Sequence, residues 1–213
     1  MASSIAIIDY GMGNLRSVAK ALEHVAPGAR VLVTQNRLDI LRADRVVFPG
    51  QGSIRDCLRE LVRWDLVEVV RETTLGKPFL GLCLGPQALL DFSEENGGTE
   101  CLGVLPGRVV RFGEPRDPAT GERLKVPHMG WNQVRQLRDH PLWRGIPQDS
   151  RFYFVHSYYL QPTDAALAVG STCYGFDFTS AIARDNIFAV QFHPEKSAQA
   201  GLRLLANFAD WNP

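Results

Sequence analysis

The sequence predicts an α/β protein with a mostly parallel central sheet, flanked by helices and extended by antiparallel strands. In the first half of the 213 residues, short apolar runs alternate with amphipathic stretches, which is typical of strand–helix–strand units. In the second half, strand-like runs follow one another with few helices between them, which favours antiparallel pairing. The length suits one substantial core, so we expect a single domain over residues 1–213.

The elements of the first half follow from the spacing of their apolar residues. Four buried strands are expected, at 5–8, 31–33, 46–48 and 79–82. Leu15–Val25 and Ile54–Val70 show helical periodicity, and Asn14 is a suitable N-cap for the first. A third helix is expected to begin at about Pro86, because proline is tolerated in the first turn of a helix.

The elements of the second half are mainly strands. Six are expected, at 109–112, 131–134, 152–156, 167–172, 180–183 and 187–192. A last helix, at 198–210, closes the chain. Two polar stretches, 93–100 and 113–123, are expected to be loops.

The composition argues against several classes of protein. Lysine plus arginine and aspartate plus glutamate both total 23, so the formal net charge is zero and shows none of the basic excess of a nucleic-acid binder. No apolar run approaches the length of a membrane span or a secretory signal. The scattered cysteines predict neither a disulfide framework nor a zinc site, and they favour a reducing, cytoplasmic location. They are Cys57, Cys83, Cys101 and Cys173.

The stretch GLCLG, residues 81–85, joins a predicted strand to a predicted helix. It is the thiol counterpart of the G-x-S-x-G nucleophile elbow, in which glycines two positions either side relieve crowding at a sharp turn. A thiol at the start of a helix lies at the positive end of the helix dipole, which favours the thiolate. The N–H of Leu84 would point toward an oxyanion formed at Cys83. On this motif alone, a small buried cysteine without chemistry is an equal alternative.

The stretch FAVQFHPEKS, residues 188–197, offers a base for such a nucleophile. Pro194 favours an extended His193, and in an extended chain residues i and i+2 point to the same side. Glu195 can then accept a hydrogen bond from the imidazole and fix its tautomer. Alone, the tripeptide is more typical of a surface turn. With the elbow, it predicts a triad of Cys83, His193 and Glu195.

The stretch FPGQGSI, residues 48–54, follows a predicted strand and contains Gly50 and Gly52. Glycines let backbone N–H groups approach an anion closely, and here the anion would be the oxyanion of an acyl-transfer intermediate. Taken by itself, the stretch is better explained as a plain turn into the next helix.

Together these motifs, in their order along the chain (48–54, 81–85 and 188–197), resemble those of the class I (triad) glutamine amidotransferases. Two further stretches, IDYGMGNLRSV at 8–18 and PHMGWNQV at 127–134, resemble the glutaminase subunits of imidazole glycerol phosphate synthase, and FYFVHSYY at 152–159 agrees with them. The resemblance extends over about 5–205. The chain departs from many members of the family at Pro86, where methionine is frequent, and at Gln51, where valine is common.

The resemblance implies a role for each matching residue. Cys83 would attack the side-chain amide of glutamine, His193 would protonate the ammonia and then activate water, and Glu195 would orient His193. The implied oxyanion loop and substrate contacts are Gly50, Gln51, Gly52, Leu84, Gln87, Ser157 and Tyr158. The residues implied to lie on or near the partner face are Asn14, Trp131 and Lys196. No metal and no cofactor are expected.

The implied partner is a (β/α)₈-barrel cyclase subunit, in a heterodimer. Ammonia released into neutral water is mostly protonated, so a sealed passage to a second active site would keep it nucleophilic. The resemblance implies that the barrel uses it to form imidazole glycerol phosphate and aminoimidazole carboxamide ribotide in histidine biosynthesis. Neither a nucleic acid nor a membrane is an expected partner.

Three alternatives remain open on the sequence. The chain resembles, less closely, glutaminase domains that feed other synthases, such as those for guanylate, anthranilate or carbamoyl phosphate. It is also consistent with a cysteine hydrolase that acts alone on other amides. The third alternative is a degenerate amidotransferase kept as a binding subunit, although all three triad residues are present.

Overall fold

A computed structural model describes residues 3–213, and within them thirteen strands form one continuous sheet. The strands are β1 (Ser4–Ile8), β2 (Arg30–Thr34), β3 (Arg45–Gly50), β4 (Phe79–Cys83), β5 (Phe92–Ser93), β6 (Thr99–Glu100), β7 (Gly107–Arg111), β8 (His128–Gln136), β9 (Ser150–His156), β10 (Tyr158–Pro162), β11 (Ala168–Cys173), β12 (Asp177–Arg184) and β13 (Ile187–Val190). The helices are α1 (Leu15–Val25), α2 (Arg37–Arg42), α3 (Ile54–Arg63), α4 (Val67–Thr73), α5 (Leu84–Leu89) and α6 (Ala198–Asp210).

The sheet has a parallel part and an antiparallel part. Strands β2, β1, β3, β4 and β13 lie side by side in that order and pair in parallel. From β13 the sheet continues through antiparallel β12, β10 and β7, and a second arm of β11, β8 and β9 branches from β12. The predicted fold class, a mostly parallel sheet with an antiparallel extension, is confirmed.

The two faces of the sheet carry separate cores, as the alternation of side chains along a strand requires. In β1, Ile5 and Ile7 pack with α1 and α6, whereas Ala6 and Ile8 pack with the helices α2 to α5 on the opposite face. A strand buried on both sides is apolar on both faces, which is why β1, β3, β4 and β13 read as continuous apolar runs after the first residues of β1 and β3, Ser4 and Arg45.

The carboxyl ends of three neighbouring parallel strands meet at one edge of the sheet. In the ladder between β3 and β4, Gly50 is paired with Cys83, and in the ladder between β4 and β13, Leu82 is paired with Val190. The loops that follow these strands therefore lie side by side, in the position where open α/β sheets bind their ligands. They contain the predicted oxyanion loop, the cysteine elbow and the His-Pro-Glu segment.

Several predicted boundaries were wrong. The helix expected at 54–70 is two helices, because Asp65 adopts a left-handed backbone conformation, with φ of 55°, between α3 and α4. Helix α5 begins at Leu84 rather than at Pro86; Pro86 still falls in the first turn, where a missing N–H breaks no intrahelical bond. Asn14 precedes α1, but its side chain makes no capping hydrogen bond.

Some elements were not predicted at all. The six-residue α2 was missed although Asn36 caps it by accepting hydrogen bonds from the N–H groups of Leu38 and Asp39. Strand β10 was missed because Ser157 alone separates it from β9. The stretch 93–100, expected to be a loop, contains the last residue of β5, a short 3₁₀ helix (Glu95–Gly97) and β6.

Residues 3–213 lack two features, a membrane-spanning helix and a metal-binding cluster. No helix there is both long and apolar enough to cross a membrane. The same residues contain no group of three or more histidine, cysteine, aspartate or glutamate side chains placed to hold a metal ion.

Candidate active site

Cys83 lies at a strained turn between β4 and α5. Its φ of 55° and ψ of −88° fall in a region that residues with a side chain rarely adopt. The two flanking glycines leave room for the turn. A Cβ on Gly85 would lie 2.4 Å from the carbonyl oxygen of Phe48, and one on Gly81 would lie 2.9 Å from the Cβ of Ala189. The local structure is therefore that of a nucleophile elbow.

The start of α5 places backbone donors beside the sulfur. Because Leu84 is the first residue of the helix, its N–H has no intrahelical acceptor. The same N-terminus directs the positive end of the helix dipole at Cys83. Gly85 is helical although Pro86 follows it, and the lack of a Cβ reduces the clash that a proline imposes on the residue before it.

His193 and Glu195 form a buried ion pair next to the elbow. The Nδ1 atom of His193 lies 2.9 Å from Oε1 of Glu195, and the two side chains are 4% and 1% exposed. His193 is extended, as predicted, and Glu195 lies in a 3₁₀ helix, Pro194–Lys196. The backbone N–H of His193 donates to the carbonyl of Tyr153, so the main chain at this residue is anchored as well as the ring.

The surroundings of His193 favour its protonated form. Burial alone would lower the pKa of the imidazole, but the charge of the nearby Cys83 sulfur and the hydrogen bond to Glu195 outweigh burial and raise the pKa to about 10. Since Nδ1 is engaged by Glu195, the remaining nitrogen is Nε2, which has no hydrogen-bond partner among residues 3–213. This nitrogen can exchange a proton with a reacting group.

A cavity of about 350 Å³ contains the sulfur and the ring. Its lining includes six of the predicted oxyanion and substrate residues, namely Gln51, Gly52, Leu84, Gln87, Ser157 and Tyr158, together with Cys83 and His193. Gly50 lies behind the lining and is buried in the ladder with Cys83. Glu195 also lies behind it, where an orienting group belongs.

Glu95 also lines this cavity, and sequence reasoning missed it. It belongs to the short 3₁₀ helix in the stretch that was expected to be a loop, and Oε2 accepts a hydrogen bond from the N–H of Ile54 at 2.8 Å. Glu95 is the only carboxylate among the lining residues of this cavity in the described chain. The polar loop itself was the available signal, because binding residues are frequent on loops held by a rigid scaffold.

A chain of side-chain amides supports the elbow from below. The Nε2 group of Gln87 donates to Oε1 of Gln191 at 2.9 Å, and Nε2 of Gln191 donates to the carbonyl of Cys83 at 3.1 Å. Gln191 is fully buried, so it lies beneath the cavity rather than in its lining. It too was missed, because its position at the end of an apolar run gave no sign of a polar partner.

Two buried histidines hold the far wall of the cavity. Nδ1 of His156 lies 2.7 Å from the carbonyl oxygen of Tyr158, which can only accept, so Nδ1 carries the proton and Nε2 accepts from Nδ1 of His128 at 2.9 Å. Asn132 in turn donates to Nε2 of His128. Burial lowers the pKa of His128 to about 4 and that of His156 to about 3, so both rings are neutral.

A larger cavity, of about 1210 Å³, adjoins the first and shares Pro127 and Ser157 with it. Its lining contains neither Cys83 nor His193. The triad residues are therefore reached from the smaller cavity.

The three residues implied to face a partner come from three separate segments of the chain. Trp131 is exposed and its ring lies 6.3 Å from that of Tyr153, while the ammonium of Lys196 lies 5.8 Å from the same ring. These two residues thus flank Tyr153 on one surface. Asn14 is half-buried at the start of α1.

Comparisons with known proteins agree with this architecture. The family described as glutamine amidotransferase class-I matches residues 6–211. The imidazole glycerol phosphate synthase subunit HisH of Aromatoleum aromaticum is 62% identical over 212 residues, covering 99% of this chain and all of the relative. The subunit of the same name from Nitrosococcus oceani is also 62% identical, over 99% of this chain and 98% of its own length.

Among solved structures, PurLQS from Thermotoga maritima matches 99% of both chains with a TM-score of 0.74 and 16% identity, which shows a shared fold alone. The match to the HisH subunits says more than a shared fold, because it combines 62% identity with nearly full coverage of both chains. The chain therefore belongs to the class I glutamine amidotransferases and, within them, to the family of imidazole glycerol phosphate synthase subunits HisH.

Proposed function

We propose that this chain is the glutaminase subunit of an imidazole glycerol phosphate synthase, that it hydrolyses glutamine to glutamate through a cysteinyl thioester, and that residues 1–213 form one catalytic domain. The observation that supports this most directly is the cavity in which Cys83 and His193 meet, with Glu195 bonded behind the ring. The identity of about 60% to HisH subunits favours this synthase over those for guanylate, anthranilate or carbamoyl phosphate.

The proposed reaction has two halves. The sulfur of Cys83 attacks the amide carbon, and the oxyanion that forms accepts hydrogen bonds from the N–H of Leu84 and from the loop of Gly50 and Gln51. His193, whose raised pKa keeps a proton on the ring, donates that proton to the nitrogen as ammonia leaves. Water then attacks the thioester, His193 takes its proton, and the carbon–sulfur bond breaks to release glutamate.

The other end of the substrate has matching partners in the same cavity. The carboxylate of Glu95 suits the α-ammonium group of glutamine, and the backbone of Ser157 and Tyr158 suits its amino-acid end. Gln87 reaches the carbonyl of Tyr158 at 3.5 Å and so links this wall to the amide chain under the elbow. A substrate held at both ends presents its amide carbon to Cys83.

We further propose that the ammonia passes to a (β/α)₈-barrel cyclase subunit, in a heterodimer, which forms imidazole glycerol phosphate and aminoimidazole carboxamide ribotide. The relatives are named as subunits of a synthase, so a second subunit is part of the same enzyme. Trp131 and Lys196 offer an exposed surface for it.

All four cysteines, each within the described residues, are free thiols, which supports a reducing, cytoplasmic location.

Cys83→Ala tests this function in the complex with the barrel subunit. We expect glutamine-driven synthesis to fall by roughly 10³-fold or more, because no nucleophile remains. Synthesis from added ammonium salts should stay within about twofold of wild type, because that reaction does not use the cysteine. Both rates are measured as product formed. Loss of the ammonia-driven reaction as well would contradict the assignment of roles.

A further inference from the structure

Tyr10 has no place in the proposed mechanism, yet it is one of the largest fully buried side chains of the described residues. It lies two residues beyond the end of β1, within the IDYGMGN stretch. Its ring packs edge-on against Phe48 of β3, with 5.6 Å between the ring centroids. The phenol therefore extends from the end of one strand toward the loop that follows its neighbour, which is the predicted oxyanion loop.

The hydroxyl of Tyr10 donates a hydrogen bond to the carbonyl of Pro49 at 3.0 Å. Burial and the neighbouring Cys57 thiol raise the pKa of this phenol, so the hydroxyl keeps its proton at any working pH. The Pro49 carbonyl belongs to the same planar peptide as the N–H of Gly50. A bond that fixes the carbonyl therefore fixes the orientation of the whole peptide at the start of the loop.

Close packing shows how tightly this point is held. A Cβ on Gly50 would lie 2.6 Å from the Tyr10 hydroxyl oxygen and 2.7 Å from the Cβ of Leu84, so the Gly50 backbone is confined between the two. Farther along the loop, a Cβ on Gly52 would lie 2.9 Å from Cε of Met12. The segment that contains Tyr10 and Met12 thus packs along the loop, and Gln51 and Gly52 are the exposed loop residues in the cavity lining.

We propose that Tyr10 is a positioning residue for the oxyanion loop: its hydroxyl holds the Pro49–Gly50 peptide still, so that the next peptide, between Gly50 and Gln51, stays beside the sulfur of Cys83. Tyr10 touches neither the substrate nor the sulfur in this arrangement. It acts on the transition state through the loop alone. The inference rests on the proposed glutaminase function.

Tyr10→Phe deletes only the hydroxyl, and the holoenzyme with the barrel subunit is the system to test. We expect kcat for glutamine hydrolysis to fall roughly tenfold, less than the loss from deleting an oxyanion donor outright, with KM within about twofold. Alkylation of Cys83 by iodoacetamide, with Cys83→Ala as the blank, should keep its rate, because that reaction forms no oxyanion. Ammonia-driven synthesis should also be unchanged.

Thr73→Val is the matched control. It removes another buried hydroxyl that donates to backbone carbonyls, those of Val69 and Val70 in α4, and Thr73 does not line the cavity. We expect Thr73→Val to lose about as much thermal stability as Tyr10→Phe, but to keep the wild-type kcat for glutamine hydrolysis. If Tyr10→Phe shows the same unchanged kcat, or a rise in KM alone, the inference is wrong.

Hydrogen exchange provides a readout that does not depend on turnover. Amide exchange in a peptide spanning 49–53 should be faster in Tyr10→Phe than in wild type or Thr73→Val, and equal exchange would overturn the inference. Wild-type holoenzyme that releases no glutamate from glutamine would instead refute the proposed function. The two failures are therefore distinguishable.

Discussion

At the scale of single residues, the candidate site depends on positions where a side chain is absent. Gly85 is the clearest case, because α5 starts directly against β3 and a Cβ there would lie 2.4 Å from the carbonyl oxygen of Phe48. A backbone oxygen in a sheet cannot move aside as a flexible side chain can. The glycine therefore allows the helix to start close enough to the sheet for its N-terminus to reach the sulfur.

Gly85→Ala should destabilise the fold by roughly 1–3 kcal/mol, although alanine is usually the better helix former. Urea unfolding of the isolated chain measures the change. Gly28→Ala is the matched control, since no described atom lies within 4 Å of the added Cβ, and it should be neutral or slightly stabilising. Equal free energies of unfolding for the two variants would refute the crowding argument.

Single residues also show the limits of sequence reasoning. Cys83, His193 and Glu195 could be proposed because each belongs to a short motif whose spacing has a mechanical reason. Glu95 and Gln191 have no such motif, since their importance arises from distant partners. Glu95 accepts from the backbone N–H of Ile54, 41 residues away, and Gln191 accepts from the side chain of Gln87, 104 residues away. Such contacts exist only once the sheet has brought the loops together.

At the scale of elements, the paired strands β8 and β9 place His128 directly opposite His156. Both histidines are neutral in the fold, with pKa values lowered to about 4 and about 3 by burial, against 6.5 when exposed. The unfolded chain therefore binds more protons than the folded chain below pH 6.5. The stability from these rings is present above pH 6.5 and is lost as the pH falls toward 4 and then 3.

His156→Gln tests this dependence, because glutamine keeps a donor for the Tyr158 carbonyl and does not titrate. The free energy of unfolding of wild type should fall by up to about 1.4 kcal/mol per pH unit for each histidine below pH 6.5, and the variant should fall less steeply. Half-buried His140, whose pKa is also lowered to about 4, will keep part of the slope. Exposed His24→Gln is the control, and a slope equal to that of wild type in His156→Gln would contradict the argument.

Elements were predicted best where periodicity was long and unbroken. The bounds of α1 and α6 match the sequence prediction because eleven and thirteen residues give several helical turns of pattern. Helix α2 has only six residues, and the turn at Asp65 interrupts α3 and α4 without a change in apolar spacing. Short elements and backbone reversals are set by tertiary packing, which a one-dimensional pattern does not contain.

At the scale of the whole molecule, the formal net charge is zero, so the net charge gives no long-range attraction to a partner subunit. Surface shape and exposed apolar side chains are then the features that favour association. Trp131 and Lys196 both flank Tyr153, and Lys196 directly follows Glu195 in the chain. We expect slow glutamine hydrolysis by the isolated chain and strong stimulation by the proposed barrel subunit with its nucleotide, because the exposed part of the oxyanion loop, Gln51 and Gly52, lies beyond the peptide that Tyr10 holds and needs ordering. Equal rates alone and in complex would exclude such gating.

Trp131→Ala should weaken association with the proposed barrel subunit roughly 10- to 100-fold, since tryptophan is a frequent hot spot in interfaces and Trp131 belongs to the proposed one. Isothermal titration calorimetry measures the dissociation constant, and the stimulation of glutamine hydrolysis should need correspondingly more partner. Leu75→Ala, which truncates an apolar side chain that is 83% exposed elsewhere on the surface, should leave the affinity unchanged. Unaltered affinity in Trp131→Ala would place the interface on another face.

The backbone at position 83 also bears on whether this chain is an idle relative of working enzymes. A non-glycine residue at such dihedral angles costs on the order of 1–3 kcal/mol, and glycine would remove that cost. A subunit kept only as a scaffold would gain by the exchange and lose nothing. The strained backbone at Cys83 therefore lowers stability without any structural benefit. This argues that the cysteine is kept for catalysis and against a purely architectural role.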